Sequence, residues 1–404
     1  MLPGMQAVSF VLETLSHFAK GVQGPPPGVP FAADAQFETD LISLCRHQRL
    51  SAMVSESFGE LALPPTMSRI TIARLNQESD SLARVSARRL ALARQVASRL
   101  SVAGVRSALL GGVCMALHGG VAGKIRPVGG INVMIDEALW MEAVGVLREM
   151  GFVRSRIQPR LADSAHALRY HQYYAPLVMH NHDGDAVRLR FRVIDIGEPG
   201  RGNPAWERTV NSGSGEGEVT TVGREDQLIQ SLTSFGVDGF IGLLHVLDSG
   251  WLLARHSSDL DWDYAMRRTR ERGFYSAFYF TLEHVCRLLG LGRVADRLDR
   301  PPGWRRRVFH FWWRAGDADF YGETVPTAGR FSYGLIEGGG ALSRMLWLKR
   351  ALFPRSAWVR SVYGRPANLW LRLKFLLDVR SGRRRRAADS PESHGGVTEF
   401  NEHR

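Results

Sequence analysis

The run Val187-Arg188-Leu189-Arg190-Phe191-Arg192-Val193 constrains the fold more than any other segment, because apolar residues and arginines alternate through it without a break. Successive side chains of a strand point to opposite faces, so this spacing predicts a strand with one buried face and a second face carrying three guanidinium groups. Arg188, Arg190 and Arg192 then have two readings: a solvated strand face, or a cationic wall that holds an anion.

The segments before that strand supply partners for it. Val105 to Leu110 reads as a strand, Gly111-Gly112 as a tight turn and Val113 to Gly119 as a short helix. Ile131 to Ile135 reads as a second strand, and Glu137 to Met150 as a helix that Gly151 ends. Upstream, residues 5 to 20 read as a short amphipathic helix and 36 to 62 as another. Residues 67 to 103 read as a long helix with one break expected. Glu198 to Gly223, rich in Gly, Ser, Asn and Pro, reads as a loop or boundary. Beyond it Arg224 to Leu253, Trp262 to Arg272 and Tyr275 to Leu289 read as helices, and Trp304, Trp312, Trp313, Trp347, Trp358 and Trp370 crowd the stretch that follows. The fold class implied is α/β (α+β), a small mixed sheet flanked by N- and C-terminal helical segments. The expected division is 1–35 as an extension, 36–103 helical, 104–200 an α/β core, 201–223 a loop, 224–378 mostly helical and 379–404 a disordered basic and polar tail that includes Arg383 to Arg386.

At 404 residues and 44% hydrophobic content the chain is long enough to bury a real core. Its net charge of +12 is almost wholly arginine, with lysine only at Lys20, Lys124, Lys349 and Lys374. A GC-rich bacterial genome produces such a bias, so the charge alone argues weakly for nucleic acid. Cys45, Cys114 and Cys286 lie far apart in apolar stretches, the pattern of buried free thiols in a reducing compartment. With no signal-type N-terminus and no long apolar run, a cytoplasmic protein without a transmembrane segment is expected.

The strand, Gly-Gly turn, helix and second strand are the parts from which a polymerase-β-type nucleotidyltransferase builds its site. Leu109-Leu110-Gly111-Gly112 resembles the glycine turn of the uncharacterised nucleotidyltransferase family. The segment Arg126-Pro127-Val128-Gly129-Gly130-Ile131-Asn132 is similar to that family's Arg-Pro-x-Gly-Asp-x-Asp. Val187 to Phe191 resembles its later acidic strand, and Leu243 to Asp248, the Asp261-Trp262-Asp263 helix start and Leu352 to Arg355 extend the likeness over about residues 36 to 378.

The resemblance implies a glycine turn against a triphosphate and carboxylates that hold magnesium. Here Gly130 and Asn132 stand at the two aspartate positions, and Arg188 stands for the later acid with Arg190 for a histidine. No confident catalytic or metal residue follows. The nucleotide-binding candidates are Gly111, Gly112, Arg126, Arg188, Arg190 and Arg192. Arg126 faces a triphosphate on the family pattern, or else stabilises its own turn.

Replacement acids for a rebuilt magnesium site are Asp183, Asp185, Asp195 and Glu198, with Asp136 in phase with Asn132 but ~13 Å along the strand. His166, His171, His180 and His182 fit no strong metal spacing. Asp248, in an apolar helix, reads as a buried acid paired with an arginine. Three functions follow: a catalytically degenerate member that binds a nucleotide, a small anion or a protein partner; an active enzyme that uses magnesium and a nucleoside triphosphate; or a basic nucleic-acid-binding protein. Family members often accompany biosynthetic genes for polysaccharides or modified peptides, which suggests such a pathway.

Overall fold

The structure, a computed structural model, describes residues 5–19, 35–57, 67–118, 126–154, 176–193, 203–212, 218–237, 242–292 and 294–307, with 368, 370, 371 and 374. The Trp-rich stretch beyond 307 and the tail, on which several sequence readings fall, lie outside these residues, as do His166, His171, Asp195 and Glu198.

Helix α1 (Met5–Ala19) precedes α2 (Ala35–Gln48) and α3 (Ser51–Ser57). The single helix read over 36 to 62 is thus two, separated at Arg49, which takes a left-handed φ of 57°. Helix α4 (Arg69–Val102) runs 34 residues unbroken, where one break was expected. Nothing in its sequence forces one, since it contains neither Gly nor Pro. Ser68 caps its start by accepting from the Thr71 amide at 3.2 Å, and the Glu38 carboxylate accepts from the Ser68 amide and hydroxyl, each at 2.5 Å.

The sheet begins with β1 (Ser107–Leu110), followed by α5 (Gly112–His118), β2 (Ile131–Ile135), a single 3-10 turn over Glu137–Leu139 and α6 (Trp140–Glu149). Then come β3 (Val153–Arg154), β4 (Leu177–His180) and β5 (Ala186–Arg190). A 3-10 turn over Pro204–Arg208 leads to β6 (Val210–Ser212) and β7 (Val219–Thr221), so residues read as a loop supply two strands. These two strands pair antiparallel, and β7 runs parallel to β1. His118 Nε2, at the end of α5, lies 2.8 Å from Thr221 Oγ1 and 2.7 Å from Ser212 Oγ, which ties the pair to the body of the sheet.

The spatial order is β3-β4-β5-β2-β1-β7-β6, a seven-stranded mixed sheet. The central pair is parallel, with Asn132 beside Arg188 and Met134 beside Arg190. One face of the sheet packs Leu109, Ile131, Val133, Val187 and Leu189 against Val96 and Leu100 of α4 and Val144 and Leu147 of α6. Ala108, Leu110 and Met134 point the other way, into a core made with the remaining helices. The fold is therefore mixed α/β with helices flanking the sheet, as the sequence implied.

The second core is built from α1, α2 and α3 together with α7 (Arg224–Val237), α8 (Leu243–His256), α9 (Trp262–Glu271) and α10 (Tyr275–Leu289). The region read as one helix from 224 to 253 divides into α7 and α8. Helices α1, α8 and α10 meet at Gly250. A Cβ there would lie 2.2 Å from Leu289 Cδ1 and 3.3 Å from Ala19 Cβ, so any side chain at this position would have to displace the buried Leu289. Ser16 Oγ donates to the Leu289 carbonyl at 2.6 Å across the same contact.

All three cysteines are buried free thiols, and burial raises the thiol pKa at each, to about 12 at Cys114 and Cys286. Among the described residues no helix is long and apolar enough to cross a membrane.

Candidate functional site

Strand β1 ends at Leu110, and Gly111, with a φ of +69°, makes the left-handed turn into α5. Space at this turn is tight. A Cβ on Gly111 would sit 3.4 Å from Asn132 Nδ2 and 3.7 Å from the side-chain amide of Gln230 on α7. A Cβ on Gly112 would sit 2.7 Å from Arg126 Nη1. The two glycines therefore bring the backbone against Asn132, Arg126 and Gln230.

Residues 126 to 130 are held from three sides. Arg126, 7% exposed, donates through Nε to Asp248 Oδ1 at 2.9 Å and through Nη2 to Oδ2 at 2.7 Å, while Nη1 donates to the carbonyl of Pro127. Asp248 is itself 3% exposed, so this is a buried bidentate ion pair. From α4, Ser86 Oγ accepts from the Val128 amide at 3.0 Å and Arg89 Nη1 donates to the Val128 carbonyl at 2.8 Å. Arg49 Nη1 lies 3.1 Å from where Gly129 would carry a Cβ; burial, with Arg89 and Arg126 nearby, lowers the Arg49 pKa.

The position that the resemblance assigns to the first aspartate has been filled. A Cβ on Gly130 would lie 2.2 Å from Arg188 Nη1, so the guanidinium occupies the volume a carboxylate side chain would need. Register explains this, since β2 and β5 run parallel with Asn132 opposite Arg188. Arg190 Nε donates to Asn132 Oδ1 at 3.1 Å. Arg188 and Arg190 are half-buried and Arg192 is 4% exposed, with Glu137 3.6 Å from its Nη2. The row is partly covered: Met134, beside Arg190 on the same face, packs into the second core, while Arg188 and Arg190 keep part of their exposure. Nor does regular strand reach Arg192, since β5 stops at Arg190.

The replacement acids go elsewhere. Asp136 caps the following 3-10 turn through the Ala138 amide at 2.9 Å. Asp185 is buried and takes Arg88 Nη2 at 3.0 Å and Arg89 Nε at 2.9 Å on one oxygen. Asp183 sits beside His182 at 3.0 Å. Among the described residues no group of three His, Cys, Asp or Glu side chains is placed to hold a metal ion. As donors, Gly130, Asn132 and Arg188 do not fit magnesium: the first has no side chain, the second is a neutral amide already bonded to Arg190, and the third is a cation.

Sequence reasoning paired Asp248 with an arginine but did not identify Arg126, and it passed over Gln230, Arg49 and the Arg88–Asp185–Arg89 cluster. Gln230 carried no distinguishing signal, being one of several polar residues that α7 buries. The Arg126 and Asp248 partners stand 122 residues apart, which no local pattern reports.

No curated protein and no solved structure matches the chain. A family model described as uncharacterised nucleotidyltransferase matches residues 35–290, from α2 to the end of α10 and so across the whole sheet and the Gly111-Gly112 turn. Since that match covers well over half of its length, the chain belongs to the uncharacterised nucleotidyltransferase family.

Proposed function

We propose that this protein is a catalytically degenerate nucleotidyltransferase-family member that binds a nucleotide or another small anion at the Gly111-Gly112 turn, with fixed arginine charge where relatives would use magnesium. The observation that carries the reading is Arg188 filling the side-chain space of Gly130 while Arg190 bonds to Asn132. A guanidinium offers several N–H donors and a permanent charge, and both suit phosphate oxygens. What it cannot supply is a Lewis acid that draws charge off the transferring phosphoryl group, so transfer at this site would be slower by orders of magnitude. A role beside biosynthetic enzymes or a protein partner is compatible with such a binding site, as is a cytoplasmic setting with three inert buried thiols.

Calorimetry with ATP in the absence of magnesium tests the proposal. Binding by the parent protein and its loss in Arg190→Glu support it; absence of binding, or unchanged affinity in the variant, rejects it. Incubation with a labelled triphosphate and magnesium separates the active-enzyme reading, since label transferred to any acceptor at ordinary enzymatic rates contradicts degeneracy.

A further inference from the structure

A second site lies away from the glycine turn. A cavity of about 320 Å³ opens between the 3-10 turn over Pro204–Arg208 and helix α9, lined by Glu207, Arg208, Tyr264, Arg267, Arg268 and Glu271. That volume is at the lower end of the range for small-molecule sites.

Its walls are built and its charges are unevenly used. Arg208 is committed to the protein: Nη1 donates to Asp261 Oδ2 at 2.9 Å, Nη2 lies 3.4 Å from Glu225, and the guanidinium stacks 4.2 Å from the Tyr264 ring centroid. Tyr264 is fixed in turn by donating to Asp226 Oδ2 at 2.9 Å. Arg268 differs. It is 3% exposed, yet its one hydrogen bond among the described residues is Nη2 to the neutral Asn203 Oδ1 at 2.8 Å, and its Nε has no partner there. No carboxylate among the described residues lies within ion-pair distance of it. The buried Asp226 carboxylate acts on it electrostatically but lies beyond ion-pair distance, so the N–H donors of Arg268 are left without a carboxylate in contact, and a bound anion is a natural means of satisfying them.

A bare anion would also meet Glu207 and Glu271, which are exposed beside the exposed Arg267. A bare cation would meet three guanidinium groups. We infer that the cavity binds a small zwitterion, its oxyanion directed at Arg268 and its ammonium group at Glu207 and Glu271. Amino acids and aminoalkyl phosphates share this chemistry.

Titration calorimetry on the full chain tests the assignment with O-phosphoethanolamine and β-alanine as zwitterions and inorganic phosphate and ethanolamine as singly functional controls. The expected result is that one zwitterion binds at least about tenfold more tightly than either control. Which zwitterion wins tells phosphate from carboxylate. The double variant Glu207→Gln/Glu271→Gln, altered only at exposed positions, should lose that preference, and Arg268→Met should lose binding. Arg190→Glu, which disables the other site, should leave zwitterion binding unchanged. The assignment is overturned if neither zwitterion outbinds the controls, if the preference survives in the double variant, or if Arg190→Glu abolishes it.

Discussion

Arg126 and Arg268 are buried to nearly the same degree, 7% and 3% exposed, and the protein treats them in opposite ways. Arg126 meets Asp248 through two charge-assisted hydrogen bonds and a backbone carbonyl through a third. Arg268 makes its only hydrogen bond among the described residues to the amide of Asn203, with the Asp226 carboxylate acting on it from beyond ion-pair distance. Both guanidiniums lost hydration on folding, but only the first recovers it through a carboxylate in direct contact. The contrast teaches that burial of a charge does not by itself assign it a role. A closed pair fixes structure, and an open charge beside a cavity is free to act on something that arrives later.

The largest expected effect tests the closed pair. Asp248→Ala leaves Arg126 buried and uncompensated and should lower stability by about 3–5 kcal/mol in urea denaturation; a loss under ~1 kcal/mol would show that water reaches Arg126 and that the pair is not closed.

Asp226 gives the next effect, on the open side. Burial raises its carboxyl pKa to about 6 from 3.8, against the opposing pull of the Tyr264 hydroxyl and Arg268. Between those values the folded protein holds a proton that the unfolded chain has released, so this group makes the fold less stable as pH rises from 3.8 to about 6. Asp226→Asn should remove roughly 2–3 kcal/mol of that decline. Stability curves for parent and variant that stay parallel across the window would mean that Asp226 is ionised throughout it.

A smaller change probes the slot that Arg126 occupies. Gly112→Ala places a Cβ 2.7 Å from Nη1, which the Pro127 carbonyl holds in place, and should cost about 1–3 kcal/mol by overpacking. A neutral result would mean that the guanidinium can retreat without loss. The smallest stability effect belongs to Arg268→Met, expected within ~1 kcal/mol of the parent because no ion pair is broken. If its thermal unfolding falls as far as that of Asp248→Ala, the two arginines are alike and the distinction fails.

Much of this was legible where the pattern is local. The alternation at 187 to 191 announced β5, and the glycine pair announced the turn after β1. Strands β3, β4, β6 and β7, two to four residues each, gave too few residues for a period to emerge. Alternation also separates two faces without telling which one meets water. The arginine row shares its face with Met134, which packs into a core of helices from both ends of the described chain, and the helical residue that closes on the glycine turn, Gln230, lies about 120 residues downstream of it. The substitutions at Gly130 and Arg188 were visible singly. That one fills the space left by the other required the register Asn132 to Arg188.

The contact between α1 and the last helices has a consequence during synthesis. Ser16 bonds to a carbonyl 273 residues further on, and Phe10, Val11 and Leu15 are buried in the same core. At roughly 5–20 residues per second that interval takes about a quarter of a minute to a minute, during which this helix has left the ribosome with its final partners not yet made. Its apolar side must wait for them, bare or held by a chaperone, so a helix made well before its partners is among the last to be locked in place.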